Sequence, residues 1–180
     1  AMGRDLLSRV ILGSRISVTV GLVVVLVAGT TGILAGLVAA YFEGWVDNVI
    51  SRFIDLLLAF PSFLLALSVL TILGPSLINA MLAVAIATIP SFARVARGAA
   101  LSEKQKDHIL AARVIGVNNV GIIFRHILPN TLAPLMVLAT VSLATAILTT
   151  ASLSFLGLGA QPPTPEWGAI LARGREYMRV

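Results

Sequence analysis

Few side chains in this sequence could carry out chemistry, and most of them lie in short stretches between long apolar runs. The sequence has no cysteine and only two histidines, His108 and His126. It therefore lacks a cysteine–zinc site, a disulfide and a histidine pair at metal-binding spacing. A lone histidine such as His126, just ahead of a Leu-Pro-Asn run, more often contacts backbone or lipid headgroups than a metal. We expect no metal site.

Catalytic patterns are also missing. An enzyme acting inside a membrane would need a nucleophile with its base, a His-Glu-x-x-His helix or paired aspartates in adjacent spans. A phosphate-binding loop for ATP would need a lysine after a glycine-rich stretch. The only lysines, Lys104 and Lys106, follow Glu103 and Gln105 instead. The sequence predicts that the chain is not an enzyme and holds no cofactor of its own.

Arg52 and Asp55 form the most conspicuous charged pair within an apolar run. They are three residues apart, on one face of a helix, where they can pair with each other. Charge inside a membrane is costly and usually functional, which favours a place on a solute pathway. Their position close to the start of the run fits a pair at the membrane boundary equally well. Both interpretations stay open.

The composition predicts a membrane protein. Apolar residues make up 58% of the chain and charged residues 12%, and the mean hydropathy is +0.99. A bilayer core takes roughly 20 apolar residues per helix, and four such runs stand at about 17–41, 49–73, 77–95 and 131–152. The net charge of +5 comes from short blocks between these runs, which is typical of membrane topology and predicts no nucleic-acid partner.

Small residues and prolines within the runs indicate how the helices pack and bend. Gly32 and Gly36 form a small-xxx-small pair that lets another helix backbone come close. Pro61 and Pro90 should each kink a span. Such prolines serve either as structural bends or as gating points, and the bend is the favoured interpretation.

The runs divide the chain into three segments. Residues 1–16 are predicted to be an extracytoplasmic lead-in, residues 17–152 the membrane core, and residues 153–180 an extracytoplasmic loop with an amphipathic end. Alternating spans place a charged loop at 98–125 on the cytoplasmic side, although lysine and arginine mark the sides only weakly. The stretch from Gly157 to Trp167 fits a lid, a docking surface or a simple turn.

The loop at 98–125 leads into the most specific pattern in the chain. Ala111 and Ala112 precede Gly116, nine residues separate Gly116 from His126, and Leu128, Pro129 and Asn130 follow. Small side chains let a surface helix settle into a partner's groove, and a glycine permits the sharp exit from that helix. The pattern resembles the EAA loop of ABC importer permeases, in which a short coupling helix contacts an ATPase.

The resemblance identifies residues for that role. The coupling helix would comprise Ile109, Leu110, Ala111, Ala112, Arg113 and Gly116. The motif would end at His126, Leu128, Pro129 and Asn130. Leu110 stands where the motif has glutamate, so an ion pair at that position cannot be assumed.

Further motifs resemble the dipeptide, oligopeptide and nickel permease group, and its C-type subunit in particular. They include residues 125–130, the Ser-Phe-Leu-Gly-Leu-Gly run at 154–159 and the Ala-Phe-Pro-Ser run at 59–62. The resemblance implies an all-α type I importer bundle with six spans, of which about four are present here. Nickel, glutathione and opine permeases share the pattern, so it leaves the solute open, with peptide as the favoured cargo.

The same resemblance implies the partners. They are two ATP-binding cassette ATPases, which would bind the ATP, a homologous second permease, an extracytoplasmic solute-binding protein and the lipid bilayer. The implied location is the cytoplasmic membrane of a bacterium or archaeon. An ion-coupled secondary transporter or a membrane scaffold is the alternative, and neither would need an ATPase-docking loop.

Overall fold

The computed structural model describes residues 6–177, with side chains for residues 6–175, and every regular element in this part of the chain is helical. Three helices are long and apolar enough to cross a membrane, or four if α2 and α3 form one broken span. The predicted fold class, a polytopic helical membrane protein, is confirmed. The elements are α1 (Leu6–Phe42), α2 (Gly44–Leu58), α3 (Ser62–Leu73), α4 (Leu77–Lys104), α5 (Asp107–Val114), α6 (Asn119–Gly121), a π-helical segment (Ile122–Ile127), α7 (Leu128–Phe155) and α8 (Trp167–Tyr177).

The helices run well past the predicted spans. α1 already includes Leu6, so most of the predicted lead-in is helical, and α4 continues beyond residue 95 to Lys104. Arginine and lysine favour helix about as strongly as leucine does, so a fall in hydropathy does not end a helix. The predicted loop at 98–125 is correspondingly shorter, since α4 occupies its start and the helix from Asn119 its end.

The predicted span at 49–73 is two helices. α2 ends at Leu58 and α3 begins at Ser62. Pro61 between them has an extended backbone, with φ −54° and ψ 130°, and proline has no N–H to continue a helix. Pro61 therefore breaks the span, whereas Pro90 lies inside α4 without ending it.

The contacts divide the described residues into two compact units. The first comprises residues 6–26, Pro61–Ala87 and residues 142–177, and the second comprises Val27–Phe60 and Thr88–Val141. In the second unit α1 packs closely on α4: a Cβ added at Gly32 would lie 2.7 Å from the Cβ of Phe92. The predicted close approach at Gly32 and Gly36 is confirmed. The buried apolar cluster of this unit comprises Leu37, Ala40, Tyr41, Ala100, Ile109, Ile122, Ile123 and Ile127.

In the first unit, α1 contacts α7 and α8. A Cβ added at Gly21 would lie 2.6 Å from Cγ1 of Ile147, so α7 also approaches the α1 backbone closely. α7 ends with Gly157 at φ 84°. The Leu158 and Gly157 amides donate to the carbonyls of Leu153 and Ser154, both at 3.0 Å. This bond pair is the Schellman ending.

A buried carboxylate holds the start of α8. Glu166 is 1% exposed, and its Oε2 accepts a hydrogen bond of 3.1 Å from the Ala169 amide. The Ser17 hydroxyl donates to Oε1 at 3.5 Å, and the Trp167 indole donates to the Val10 carbonyl at 3.1 Å. Glu166 thus accepts from a backbone amide at the N-terminus of α8 that has no partner within the helix. The negative charge of Glu166 also interacts favourably with the positive end of the helix dipole.

Replacing Glu166 should loosen α8. We expect Glu166→Ala to lower the free energy of unfolding by about 1–2 kcal/mol, because the cap is lost. Glu166→Gln should lose less, since its amide oxygen can still accept from Ala169. Thermal unfolding in detergent, compared with an exposed control such as Arg15→Gln on α1, measures the difference. Equal stability of wild type and Glu166→Ala would show that the cap contributes nothing.

Candidate functional site

A short helix, α5, lies at the residues proposed for the coupling helix, and Gly116 ends it. The Gly116 amide donates to the Arg113 carbonyl and the Val117 amide to the Ala112 carbonyl, both at 3.0 Å, which is again a Schellman ending. Gly116 has φ 84°, and a Cβ added there would meet nothing within 4 Å. The glycine is therefore required by backbone conformation and not by space.

α5 has a buried face and an exposed face. Ile109 and Ala112, three residues apart, are buried in the second unit, whereas Leu110 is 51% exposed and Val114 86%. Ile115, just after the helix, is 79% exposed. The expectation that Ala112 offers its small side chain to a partner is therefore wrong. Positions three apart share one helical face, and Ile109 takes that face into the core.

The exposed face of α5 is apolar at its C-terminal end. Ala111 and Arg113 are exposed together with Leu110, Val114 and Ile115. Isolated exposed apolar side chains are ordinary, but a contiguous group marks an interaction surface. We call Leu110, Ala111, Val114 and Ile115 the α5 patch.

Glu103 is the carboxylate nearest to α5 that is buried. Its Oε2 lies 2.6 Å from Nζ of Lys106 and its Oε1 3.2 Å from Nε2 of His108. The Oε1–His108 approach does not meet hydrogen-bond geometry, so we treat Lys106 as its ion-pair partner. Glu103 thus joins the end of α4 to the start of α5, and Leu110 lies apart on the exposed face.

Tyr41 ties α5 to the ends of two long helices. Its hydroxyl donates to Oδ1 of Asn119 at 2.7 Å, and its ring lies 5.4 Å from the Arg113 guanidinium carbon and 5.5 Å from Lys104 Nζ. Lys104 Nζ also donates to the Tyr41 carbonyl at 2.7 Å and pairs with Glu43 at 2.8 Å. A cation at the C-terminus of α1 stabilises its free carbonyls.

The motif end lies at a distortion in the helix. Residues 122–127 are π-helical, and the Leu128 amide donates to the Ile123 carbonyl. His126 is half-buried within this turn, and its carbonyl accepts from the Asn130 amide side chain at 2.6 Å. Pro129 lacks an N–H for the carbonyl four residues earlier, which fits a widened turn at this point. Within residues 6–175, no three histidine, aspartate or glutamate side chains gather as metal ligands.

Asp55 pairs with a residue other than the expected one. Its Oδ1 lies 3.1 Å from Nη2 of Arg94 on α4, and Arg52 makes no ion pair with any described residue. The predicted Arg52–Asp55 contact is therefore wrong. One turn further along α4, Arg97 holds Asp47 by two bonds of 2.6 Å. Contacts between helices that are far apart in the sequence leave no local signal, so the sequence does not identify Arg94 and Arg97 as these partners.

Comparison with known proteins identifies the family of this chain and solved structures with the same fold. A profile described as "Binding-protein-dependent transport system inner membrane component" matches residues 32–175. The chain belongs to this family. Two solved structures share the fold at 18% identity. "Inward facing conformations of the MetNI methionine ABC transporter" has a TM-score of 0.75 over 98% of this chain and 94% of that one. "Crystal structure of an amino acid ABC transporter with histidines" has a TM-score of 0.63 over 99% and 84%.

Curated relatives of this permease family are much closer in sequence. The dipeptide transport system permease protein DppC of Alkalihalophilus pseudofirmus is 48% identical over 98% of the chain, and the chain covers 58% of it. The glutathione transport system permease protein GsiD of Pectobacterium atrosepticum is 48% identical over 100% of the chain, and the chain covers 60% of it. The chain thus spans about three fifths of these relatives, and its resemblance to the dipeptide permease group is confirmed.

Proposed function

We propose that this chain is a membrane-spanning subunit of an ATP-driven importer and that α5 receives the force from an ATPase. The observation that carries the proposal is the α5 patch: an exposed apolar surface on a short helix whose other face is buried. Gly116 fixes where the helix ends, and Tyr41 and Glu103 attach it to longer helices. A surface held in this way can be pushed without unfolding.

The mechanism we propose is alternating access. Closure of two partner ATPases, which bind and hydrolyse the ATP, would move α5, and the spans would shift to open the pathway on the other side. A homologous second permease would complete the pathway, and an extracytoplasmic binding protein would deliver the solute. The location would be the cytoplasmic membrane of a bacterium or archaeon. The family and the fold support this arrangement.

We further propose a di- or oligopeptide as the solute. The support is the similarity to a dipeptide permease and a glutathione permease, since glutathione is itself a short peptide. The chain's own chemistry agrees with transport, because the sequence has no phosphate-binding loop and no paired catalytic groups.

The experiment that tests the docking role uses the full transporter complex. We expect Val114→Asp and Ile115→Asp each to reduce co-purification of the ATPases by at least about tenfold, because a charge buried in an apolar contact without a partner is strongly unfavourable. Ser102→Asp, which adds the same charge at an exposed position near the end of α4, is the control and should retain the ATPases.

The alternatives predict a different result. An ion-coupled carrier or a scaffold has no ATPase to lose. Wild-type ATPase binding with both substituted permeases inserted in the membrane would therefore contradict the docking role and favour one of those two classes.

A further inference from the structure

A small charged cavity lies between α2 and α4 in the second unit. Its volume is about 290 Å³, and it is lined by Ser51, Ile54, Asp55, Arg94 and Arg97. Ile54 is the one apolar residue of the lining and is buried. α4 is apolar enough to cross a membrane, and α2 is part of a fourth such segment if α2 and α3, bent by 92° at their break, count as one span. Charged side chains in such segments usually face a cavity and mark a solute or ion path.

Two aspartate–arginine ion pairs join α2 to α4, and only one of them, Asp47–Arg97, is joined by two hydrogen bonds. Asp47 accepts two bonds of 2.6 Å from Arg97 and a third of 2.9 Å from the Ser51 hydroxyl. The Asp47 side chain is also largely buried. A bidentate, hydrogen-bonded pair of this kind fixes geometry. The Asp47–Arg97 pair therefore already accounts for joining α2 to α4 at this level.

The Asp55–Arg94 pair is open. A single contact of 3.1 Å joins the two groups, and their side chains are 59% and 63% exposed. An exposed pair with one contact adds little stability, and α2 is already held to α4 at Asp47. Each group keeps unused hydrogen-bonding capacity: a carboxylate accepts at both oxygens and a guanidinium donates through five N–H groups.

We propose that Asp55 and Arg94 form a binding site for a zwitterionic solute. The solute's carboxylate would accept from Arg94 and its ammonium would donate to Asp55, so each ligand charge replaces one partner of the existing pair. Net charge in the cavity is unchanged by this exchange, and both new contacts are charge-assisted. The site rests on the proposed function, because it assigns the solute class of that transporter.

The free termini of a short peptide fit this site. More than half of each charged side chain is exposed, so a peptide can place its charged end groups against the pair while its own side chains stay outside the cavity. Recognition of termini alone would explain how relatives of similar sequence carry names for dipeptide and for glutathione transport, since both solutes have an ammonium and carboxylates. Selection among side chains would then take place elsewhere in the complex.

The test is direct binding of three probes to the purified complex of both permeases and the ATPases, without a binding protein, by titration calorimetry in nanodiscs. The probes are dialanine, N-acetyl-dialanine and dialanine amide. We expect wild type to bind dialanine about tenfold or more tightly than either capped peptide, since each cap removes a charge-assisted bond.

The variants identify which terminus each residue reads. Asp55→Asn should weaken dialanine to the level of N-acetyl-dialanine, and Arg94→Gln should weaken it to the level of dialanine amide. Arg125→Gln, which removes an exposed charge outside the cavity lining, is the control and should keep the wild-type preference.

The proposal is overturned if wild type binds none of the probes, or if either cavity variant weakens all three equally. ATPase co-purification is measured on the same samples. If the wild-type complex shows no preference for dialanine but retains the ATPases, the binding-site proposal fails and the importer proposal stands. If the wild-type complex lacks the ATPases, the importer proposal itself is contradicted.

Discussion

Gly36→Leu is expected to abolish the packing of α1 on α4. A Cβ at Gly36 would lie 2.8 Å from the Cβ of Ala96, 2.8 Å from the Arg97 amide nitrogen and closer still to the Ala93 carbonyl oxygen. Backbone atoms cannot rotate away as a side chain can, so the two helices would have to separate. Overpacking in a well-packed interior typically costs about 1–3 kcal/mol, and a clash with backbone belongs at or above the upper end.

Size-exclusion chromatography of the detergent-solubilised complex measures this effect. We expect Gly36→Leu to give aggregate in place of a monodisperse peak. Gly98→Leu is the matched control, because Gly98 is helical in α4 and a Cβ there meets nothing within 4 Å. In that position leucine should stabilise the helix by roughly 0.5–1 kcal/mol. Identical behaviour of the two variants would mean that close packing at Gly36 is not required.

This glycine is among the features that the sequence made predictable. A small-xxx-small pair in an apolar run indicates a close helix contact, because helix association in lipid depends on packing and not on a hydrophobic driving force. The sequence alone did not name the partner. The partner is α4, which contributes Phe92 and Ala96 to the contact. A local sequence pattern contains no information on which helix packs against it.

The position of α5 was predictable from the sequence, but the exposure expected for Ala112 was wrong. The spacing from Ala111 to Pro129 located α5, and Gly116 ends it as expected for a glycine at φ 84°. Of the two adjacent alanines, however, Ala111 is exposed and Ala112 is buried, and the spacing alone does not fix which of them points outward. Ile109 decides which, because it is the larger apolar side chain and Ala112 lies one turn after it. Substitution of Ala112 would therefore test the fold, and Val114 tests docking.

Two of the features that sequence reasoning missed depend on long-range partners. Asp55 is nearer in sequence to Arg52 but meets Arg94. Glu166, in a loop rich in proline, looks exposed by residue type and is buried by α8 and Ser17. Charged residues are almost never fully buried unless paired or hydrogen-bonded, and Ser17, which donates to Glu166, stands far away in the sequence. The π-helical segment had one local signal, Pro129, which also fits an ordinary helix start.

Substitution of Tyr41 is the second change expected to have a large effect on transport, because Tyr41 links α5 to the long helices. The residue is buried at the end of α1, where its hydroxyl bonds Asn119 and its ring faces Arg113 of α5. The Lys104 ammonium at the end of α4 also approaches the ring and donates to the Tyr41 carbonyl. Movement of α5 would therefore reach both α1 and α4 through Tyr41, in addition to the Glu103–Lys106 ion pair between α4 and α5.

Two substitutions separate the contributions of the ring and the hydroxyl. Tyr41→Phe keeps the ring and removes the bond to Asn119, at a cost of about 1 kcal/mol or more if Asn119 stays unpaired. Tyr41→Ala also removes the ring, at about 3–5 kcal/mol for a large buried side chain. We expect Tyr41→Phe to assemble normally, with solute uptake per ATP hydrolysed clearly reduced. Tyr41→Ala should lose assembled complex.

Measurement of uptake and hydrolysis on the same proteoliposomes distinguishes a coupling role from a purely structural one. A structural defect lowers the amount of active complex, so uptake and hydrolysis fall together and their ratio is unchanged. A coupling defect in Tyr41→Phe lowers the ratio, because the ATPases still bind the α5 patch while less of their movement reaches α1. Phe53→Leu, which alters an exposed aromatic ring on α2, should leave the ratio at the wild-type value. An unchanged ratio in Tyr41→Phe would mean that the hydroxyl bond to Asn119 does not transmit movement, and the ion pair between Glu103 and Lys106 would then be the remaining attachment to test.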